Sequence, residues 1–390
     1  MSARPTKITK GEADKMSTHR PVGGSVVTPF TAILAVLVLI GFYFLGQRFI
    51  YGLGAVANIN DGFPWGIWVV YDVVIGTGLA CGGYAMAILV YIFNKGEYHP
   101  LVRPALLASA FGYSLGGFSV LFDLGRYWNM WHIFVPGYAH VNSVMFEVAL
   151  CVAAYIVVLW IEFTPVFLEK LGMKDAKKSL NKLLYLFIAL GILLPTMHQS
   201  SLGSLLVVFG TQIHPLWQTP LLPLLFLMSA ITMGYCVVVF EATLSSAGFK
   251  RPSESHIIAP LSKVVSWFLI AYLVIRFGDL AMRGALGLAF TSGFKSFMFW
   301  LENILYAIPI VMLAGQGAKN PRCLFIASVS MLLAAFFYRI NAFLVGYDTG
   351  PGWTYFPSVP EIMVTIGIIA LEVLAYIVFV KKLPVLHGAR

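Results

Sequence analysis

The sequence predicts an all-α integral membrane protein of about ten transmembrane helices, and three observations carry that prediction. Hydrophobic residues fill 59% of the 390 positions and charged residues 11%, against about 25% charged in an average soluble domain. Apolar runs of roughly 20 residues, the length that crosses a bilayer, recur along the chain. The net charge of +9 falls mostly in the short segments between those runs, where it reads as a topology signal and not as a nucleic-acid surface.

The candidate spans are roughly 30–50, 64–93, 104–124, 140–167, 180–196, 219–246, 260–282, 293–314, 322–345 and 359–380. The first 29 residues are polar and basic with no cleavage-site pattern, and the run that follows is too long for a signal peptide, so the first span is expected to be retained. About 20 of the 26 Lys and Arg fall on one side, in the N-terminal segment, the 95–103, 170–182 and 250–263 loops, Lys319, Arg322 and the C-terminus. About four (Arg48, Arg126, Arg283, Lys295) fall on the other, with Arg276 and Arg339 near the outer ends of the seventh and ninth spans. Cytoplasmic segments carry the excess of positive charge, so both termini are expected to be cytoplasmic.

A weak internal repeat organises the spans. Trp65 and Gly82 recur as Trp217 and Gly234, and Ser143-Val-Met-Phe recurs as Ser296-Phe-Met-Phe, at an offset of 152 to 153 residues. Four spans lie between equivalents, so the copies share one orientation, as in parallel repeats. The expected division is a tail (1–29), a first span with its outer loop (30–63), one four-helix bundle (64–200), a second (201–345), and an outer loop, last span and tail (346–390). Cys81, Cys151, Cys236 and Cys323 stand singly in apolar stretches with no cluster or haem-attachment spacing, and read as packing residues.

Ionisable groups in hydrocarbon are costly and mark cavities or partners. Counting 1.5 Å per residue from Pro64 and His140 puts Asp72 about 12 Å and Glu147 about 10 Å below the outer surface, level with each other. The third span delivers Asp123 and Arg126 to the outer side and the fifth delivers His198 and Gln199. With His140, these residues converge on one bundle mouth suited to a polar head group with an apolar tail. Each also has a structural reading: Asp123 and Arg126 at i, i+3 suit an ion pair, His198 suits a helix end, and Gly76, Gly78, Gly82 and Gly83 suit close helix packing. Arg276 and Asp279, Glu302, Glu241 and Glu372 are spread through depth, which fits a proton route and separate structural hydrogen bonds equally. Of eight histidines none is placed in the middle of a span, so paired haem ligation is not expected.

The strings Gly62-Phe-Pro-Trp-Gly, Ile75-Gly-Thr-Gly, Tyr98-His-Pro-Leu-Val-Arg-Pro-Ala, Asp123-Leu-Gly-Arg-Tyr-Trp-Asn, Leu194-Pro-Thr-Met-His-Gln-Ser-Ser and His214-Pro-Leu-Trp-Gln carry a resemblance. Over all ten spans the chain resembles the NrfD/polysulfide-reductase membrane-anchor family, and within it the membrane subunits of uptake nickel-iron hydrogenases of the hydrogenase-2 type. The resemblance implies an iron–sulfur, ferredoxin-like partner and the hydrogenase large and small subunits on the periplasmic side. It also implies a quinone site near that side and no metal centre in the membrane subunit, although such subunits are often labelled b-type cytochromes. The quinone contacts of polysulfide-reductase relatives differ in identity here, so Asp72, Glu147 and His198 are carried over by position in the bundle alone.

Joined, the two readings give a membrane subunit that is not catalytic for hydrogen by itself. Electrons from hydrogen oxidation reach menaquinone in the first bundle's mouth, His198 bonds a quinone carbonyl, and Asp72 and Glu147 relay protons. Glu302, Glu372 and Glu241 form a conceivable route for protons from the cytoplasm. Two alternatives stay open: a quinone-linked subunit of another periplasmic oxidoreductase of the same family, and a secondary transporter, against which the lack of a span clearly broken near the midplane is the argument.

Overall fold

The structure, a computed structural model, describes residues 19–251, 254–315 and 317–387; most of the expected N-terminal tail, residues 1–18, lies outside them. Ten helices among the described residues are long and apolar enough to span a membrane. They are α1 (Pro29–Tyr51), α2 (Val69–Ile92), α3 (Val102–Asp123), α4 (Val144–Lys170), α5 (Lys174–Phe209), α6 (Leu222–Gly248), α7 (Ser255–Met282), α8 (Phe294–Met312), α9 (Pro321–Ile340) and α10 (Val359–Lys382). Local chemistry starts several of them. Thr28 with Thr31 and Ser358 with Glu361 form capping boxes at α1 and α10, and Asn320 caps α9, each followed by proline at the first turn where the missing N–H costs nothing.

The helices alternate between two faces. On one, the N-terminal segment runs antiparallel to the C-terminal one, with Arg20 N donating to Leu386 O at 3.2 Å and Val22 N to Val380 O at 3.1 Å. Arg103 joins that face through Glu169 at 2.8 Å and the Pro384 carbonyl at 2.9 Å, and Arg251 through the His387 carbonyl. On the opposite face Glu361 accepts from Asn58 N at 2.9 Å, and His214 N donates to Gly346 O at 2.7 Å. Helices α2 and α6 are the most enclosed, and α1 lies at the periphery against α10, where Gly41 and Gly367 let the two backbones meet.

Two features depart from the sequence reading. Helix α5 does not end near residue 196: Pro195 is accommodated and the helix runs on to Phe209, so a bundle boundary between 200 and 201 falls inside it. Proline removes one backbone bond and crowds the preceding turn, and here the hydroxyls of Thr196, Ser200 and Ser204 bond the carbonyls one turn back while packing holds the rest. The second departure is in α2, which is interrupted at Ala80–Cys81 and has π-helical stretches at Val69–Gly76 and Ile88–Ile92. The expectation of no broken span therefore fails for α2. Gly76, Gly78, Gly82 and Gly83 lower the cost of leaving the helix, and neighbours satisfy the freed groups: Ser109 Oγ accepts from Gly83 N at 2.7 Å, and Arg339 donates to the Val74 carbonyl. Gly234 of α6 sits on the break, because a Cβ there would stand 2.4 Å from the Cys81 carbonyl oxygen.

Candidate functional site: a buried polar hub beside a surface cleft

Extending α5 carries His198 into the helix interior, eleven residues before Phe209 and so about 16 Å from that end. His198 and Gln199 are fully buried, not on an outer shelf. His198 Nδ1 bonds the Leu194 carbonyl at 3.0 Å, which places its proton on Nδ1 and leaves Nε2 as an acceptor. Tyr113 Oη and Gln199 Nε2, each 3.0 Å away, both donate to Nε2. Gln199 Nε2 also reaches Thr77 Oγ1 at 2.9 Å, and Arg339 donates to Gln199 Oε1 at 2.8 Å. The Cys81 thiol, beside the break in α2, lies 3.2 Å from the Thr77 carbonyl and 3.5 Å from Tyr113 Oη. Five helices thus meet at one polar hub: α2 through Thr77, α3 through Tyr113, α5 through His198 and Gln199, α9 through Arg339, and α6 through Ser229, 3.2 Å from Arg339.

Arg339 is fully buried and forms no ion pair among the described residues; its donors go to Gln199, Ser229 and backbone carbonyls, and its guanidinium stacks 5.1 Å from the Phe226 ring centre. Charge reaches such a place only when dipoles surround it. The sequence reading saw Arg339 as an end-of-span charge and did not single out Tyr113, Thr77 or Ser229. A cation inside an apolar run was a legible signal for the first; the other three are ordinary in membrane helices.

The remaining expected residues scatter. Asp72 is 3% exposed, and its carbonyl packs where a Cβ on Gly116 would fall, at 2.6 Å. Glu147 lies in the first turn of α4, half-buried. That helix starts at Val144 instead of 140 and α2 starts at Val69 instead of 64, so Glu147 and Asp72 each stand three residues, about 5 Å, from the start of their helix, half or less of the expected depth. Asp123 closes α3 and Arg126 is exposed beyond it, and the expected ion pair between them is not formed. Arg48 of α1 binds the end of α3 instead, donating to the Phe122 carbonyl at 2.7 Å and to that of Leu124. His140 is exposed. Among the described residues, Asp72, Asp123, Arg126, His140 and Glu147 make no side-chain bond to one another.

A surface cleft of about 240 Å³ has one of them in its wall: Asn142, Ser143, Glu147, Cys151 and Met197 line it, and Met197 directly precedes His198. Of the candidate route acids, Glu241 accepts from Tyr376, one turn along α10 from Glu372, and Glu372 packs against Gly112 of α3. Glu302 belongs to a separate cluster, salt-bridged to Arg276 and also bonded by Trp217 at 3.1 Å and Asn341 at 2.6 Å. Glu162, a further half-buried acid on α4 against Gly191, was overlooked, though an acid in an apolar run is the same signal as Asp72.

The residues do not fit a haem held by two histidines. Among the described residues His198 alone is a histidine buried within the spans, and both its ring nitrogens are engaged by protein groups, while His99, His140 and His256 are exposed. No group of three metal-binding side chains occurs among the described residues.

Comparison with known proteins gives the chain its relatives. The family described as "Polysulphide reductase, NrfD" matches residues 55–349. The chain is 46% identical over 371 residues, 94% of its length and 95% of the relative's, to a "Probable Ni/Fe-hydrogenase 2 b-type cytochrome subunit" of Escherichia coli (strain K12). It is 26% identical over 364 residues, 86% of each chain, to a "Menaquinone reductase, integral membrane subunit" of Nitratidesulfovibrio vulgaris. It is also 25% identical over 378 residues, 90% of its length and 91% of the relative's, to an "Hdr-like menaquinol oxidoreductase integral membrane subunit" of Archaeoglobus fulgidus.

Proposed function

We infer the function of this chain from its family: it belongs to the polysulphide reductase, NrfD, family of integral membrane subunits. It links a redox partner on the periplasmic side to quinone, and the hydrogen chemistry belongs to other subunits. The near full-length identity to a hydrogenase membrane subunit supports a nickel-iron hydrogenase, with its iron–sulfur ferredoxin-like subunit, as that partner; menaquinone as the acceptor rests on the menaquinone-linked relatives. The lysine and arginine bias assigns the terminal face to the cytoplasm of a bacterial inner membrane. Spans 2–5 and 6–9 are read as two parallel copies, on the equivalence of Trp65 with Trp217 and Gly82 with Gly234.

One observation carries the site: a surface cleft has Glu147 and Met197 in its wall, and Met197 is the residue before the fully buried His198 of the hub. Quinone reduction takes up two electrons and two protons. The head group is assigned to the cleft, where Glu147 passes a proton to the oxygen facing it and Asn142 and Ser143 orient the ring. His198 acts behind the cleft, its Nε2 already taking bonds from Tyr113 and Gln199, so it orders the hub instead of meeting a quinone carbonyl directly. Asp72 is the second proton carrier, and Glu241, Tyr376 and Glu372 are the route from the cytoplasmic side.

The test is photoaffinity labelling of the full complex with an azido-menaquinone analogue. Label is expected on the peptide containing residues 141–151 and on Met197, competed by menaquinone; label confined to other spans would remove the site. A donor other than hydrogenase leaves that result intact and would be revealed by the subunits that co-purify. A transporter is the weaker reading despite the broken α2, because the polar groups of the break are taken up by Ser109 and Arg339 of the chain itself.

A further inference from the structure

Away from that hub, α7, α8 and α9 enclose a second polar cluster. Its centre is the Arg276–Glu302 ion pair, 2% and 0% exposed. Glu302 is heavily used: Arg276, Trp217 and Asn341 donate to its oxygens, and Asn303 lies at 3.4 Å. The surrounding groups are not. The hydroxyls of Tyr272, Tyr306 and Tyr338, Nε of Arg276, and Oδ1 of Asn303 and of Asn341 are all buried and bond no protein atom among the described residues. The residues bearing them are at most 4% exposed. They are also neighbours. The Tyr272 ring centre lies 4.7 Å from that of Tyr306 and 5.9 Å from that of Tyr338, and the Arg276 guanidinium stands 4.8 Å from the Tyr338 ring. Unpartnered buried polar groups are few in native proteins, so six around one ion pair call for a shared partner able to donate and accept at once. The three hydroxyls and the arginine can donate, the two amide oxygens can only accept, and lipid offers neither.

We propose that α7, α8 and α9 enclose an internal hydrated chamber, in which bound water molecules bridge the tyrosine hydroxyls and amide oxygens to the Arg276–Glu302 pair. Water is the one small ligand whose two donors and two acceptors match so mixed a set, and buried water characteristically makes about three such bonds. The chamber supplies the solvation that lets an ion pair persist inside the membrane. Because the carboxylate's lone pairs are already used, an exchangeable proton in the chamber resides on the waters and hydroxyls and not on Glu302. Arg339 follows Tyr338 in the chain, and its Nε likewise bonds no protein atom, while its other nitrogens reach Gln199 and Ser229. The chamber therefore adjoins the hub through one guanidinium. The proposal does not depend on where quinone binds.

The experiment is synchrotron hydroxyl-radical footprinting of the full-length protein in its purified complex, read by mass spectrometry. Radicals made from bound water modify the side chains that touch it, even where bulk solvent cannot reach. Tyr272, Tyr306 and Tyr338 are expected to be modified at least fivefold faster than Tyr84, whose hydroxyl is bonded by Thr196, and Phe163, both 2% exposed or less. Rates equal to those controls would overturn the chamber. In Tyr306→Phe the rates at Tyr272 and Tyr338 should fall at least twofold as shared water is lost, and unchanged rates would show that the three sites are not one chamber. Because the wild-type comparison needs no variant, a folding failure in Tyr306→Phe leaves the proposal testable, and Tyr338→Phe repeats the second arm.

Discussion

Replacing Glu302 by glutamine should destabilise the protein through one identifiable mechanism. In the structure the Glu302 carboxylate is fully buried, pairs with Arg276, and accepts from Trp217 Nε1 and from Asn341 Nδ2 at 2.6 Å. The amide keeps the shape but removes the charge, leaving a guanidinium that is 2% exposed without its counter-ion. It also turns an N–H group toward partners that are themselves donors. Breaking a buried pair from one side costs about 3–5 kcal/mol, which lowers the folding equilibrium constant by roughly 10²-fold to several thousand-fold. Removing both charges in Glu302→Gln with Arg276→Gln should cost clearly less than the sum of the single losses, because no unpaired charge remains. The assay is unfolding of the purified protein in mixed micelles by denaturing detergent, followed by tryptophan fluorescence, since Trp217 reports directly on the carboxylate. A wild-type midpoint for Glu302→Gln, or strict additivity of the two singles, would refute the argument. The same calculation bears on function: a loss of membrane potential in Glu302→Gln means nothing about proton routing until the folded fraction has been measured.

Four other outcomes are expected. Glu147→Gln should leave the protein inserted and dye-linked hydrogen oxidation by the complex intact, while cutting menaquinone reduction by roughly tenfold or more, the low side of what positioned proton transfer contributes; loss of the dye reaction as well would mean failed assembly. Gly234→Ala should cost about 1–3 kcal/mol by overpacking, because its Cβ meets the Cys81 carbonyl at 2.4 Å, whereas Gly46→Ala, with nothing within 4 Å, should be near neutral; thermal unfolding of the two side by side checks this. Burial, with Arg103 and then His387 adding repulsion, lowers the His19 imidazole to about 4. The folded state then binds fewer protons than the unfolded one below the ordinary histidine value, so docking of the His19–Gly23 segment on residues 380–387 should weaken as pH falls from about 6.5 toward 4; the protection factors of the Arg20 and Val22 amides, exchange rates referred to the intrinsic rate at each pH, should fall over that window, and fall less in His19→Asn, where His387, also lowered by burial, still titrates. Finally, the reduced subunit should lack a stoichiometric b-type visible band, which reduced-minus-oxidised spectra of the purified chain will decide.

The number of spans, their order and the charge asymmetry of their connections were all legible in the sequence, because each follows from a cost paid locally. A residue in hydrocarbon contributes its transfer free energy whatever it touches, so twenty apolar residues between charged segments can be read without knowing any neighbour. The same reasoning picked out Asp72 and Glu302, which are buried, and Glu241 and Glu372, which are half-buried. What those groups do was not local. Whether Pro195 ends α5 or is absorbed by it depends on packing around the following turn, and that decision moves His198 from a rim to the interior. The spacing of Asp123 and Arg126 could not show that the end of α3 is held by Arg48, some 75 residues away in the chain, which takes the carbonyls on either side of Asp123. The hub's members are separated by up to 262 positions, from Thr77 to Arg339, and its acceptor on α2 exists because that helix loosens where its glycines permit. Hydrogen bonds in a membrane are short-ranged and directional, so the burial of a polar residue can be read from its own run of sequence, but its partner is settled only when the helices have packed.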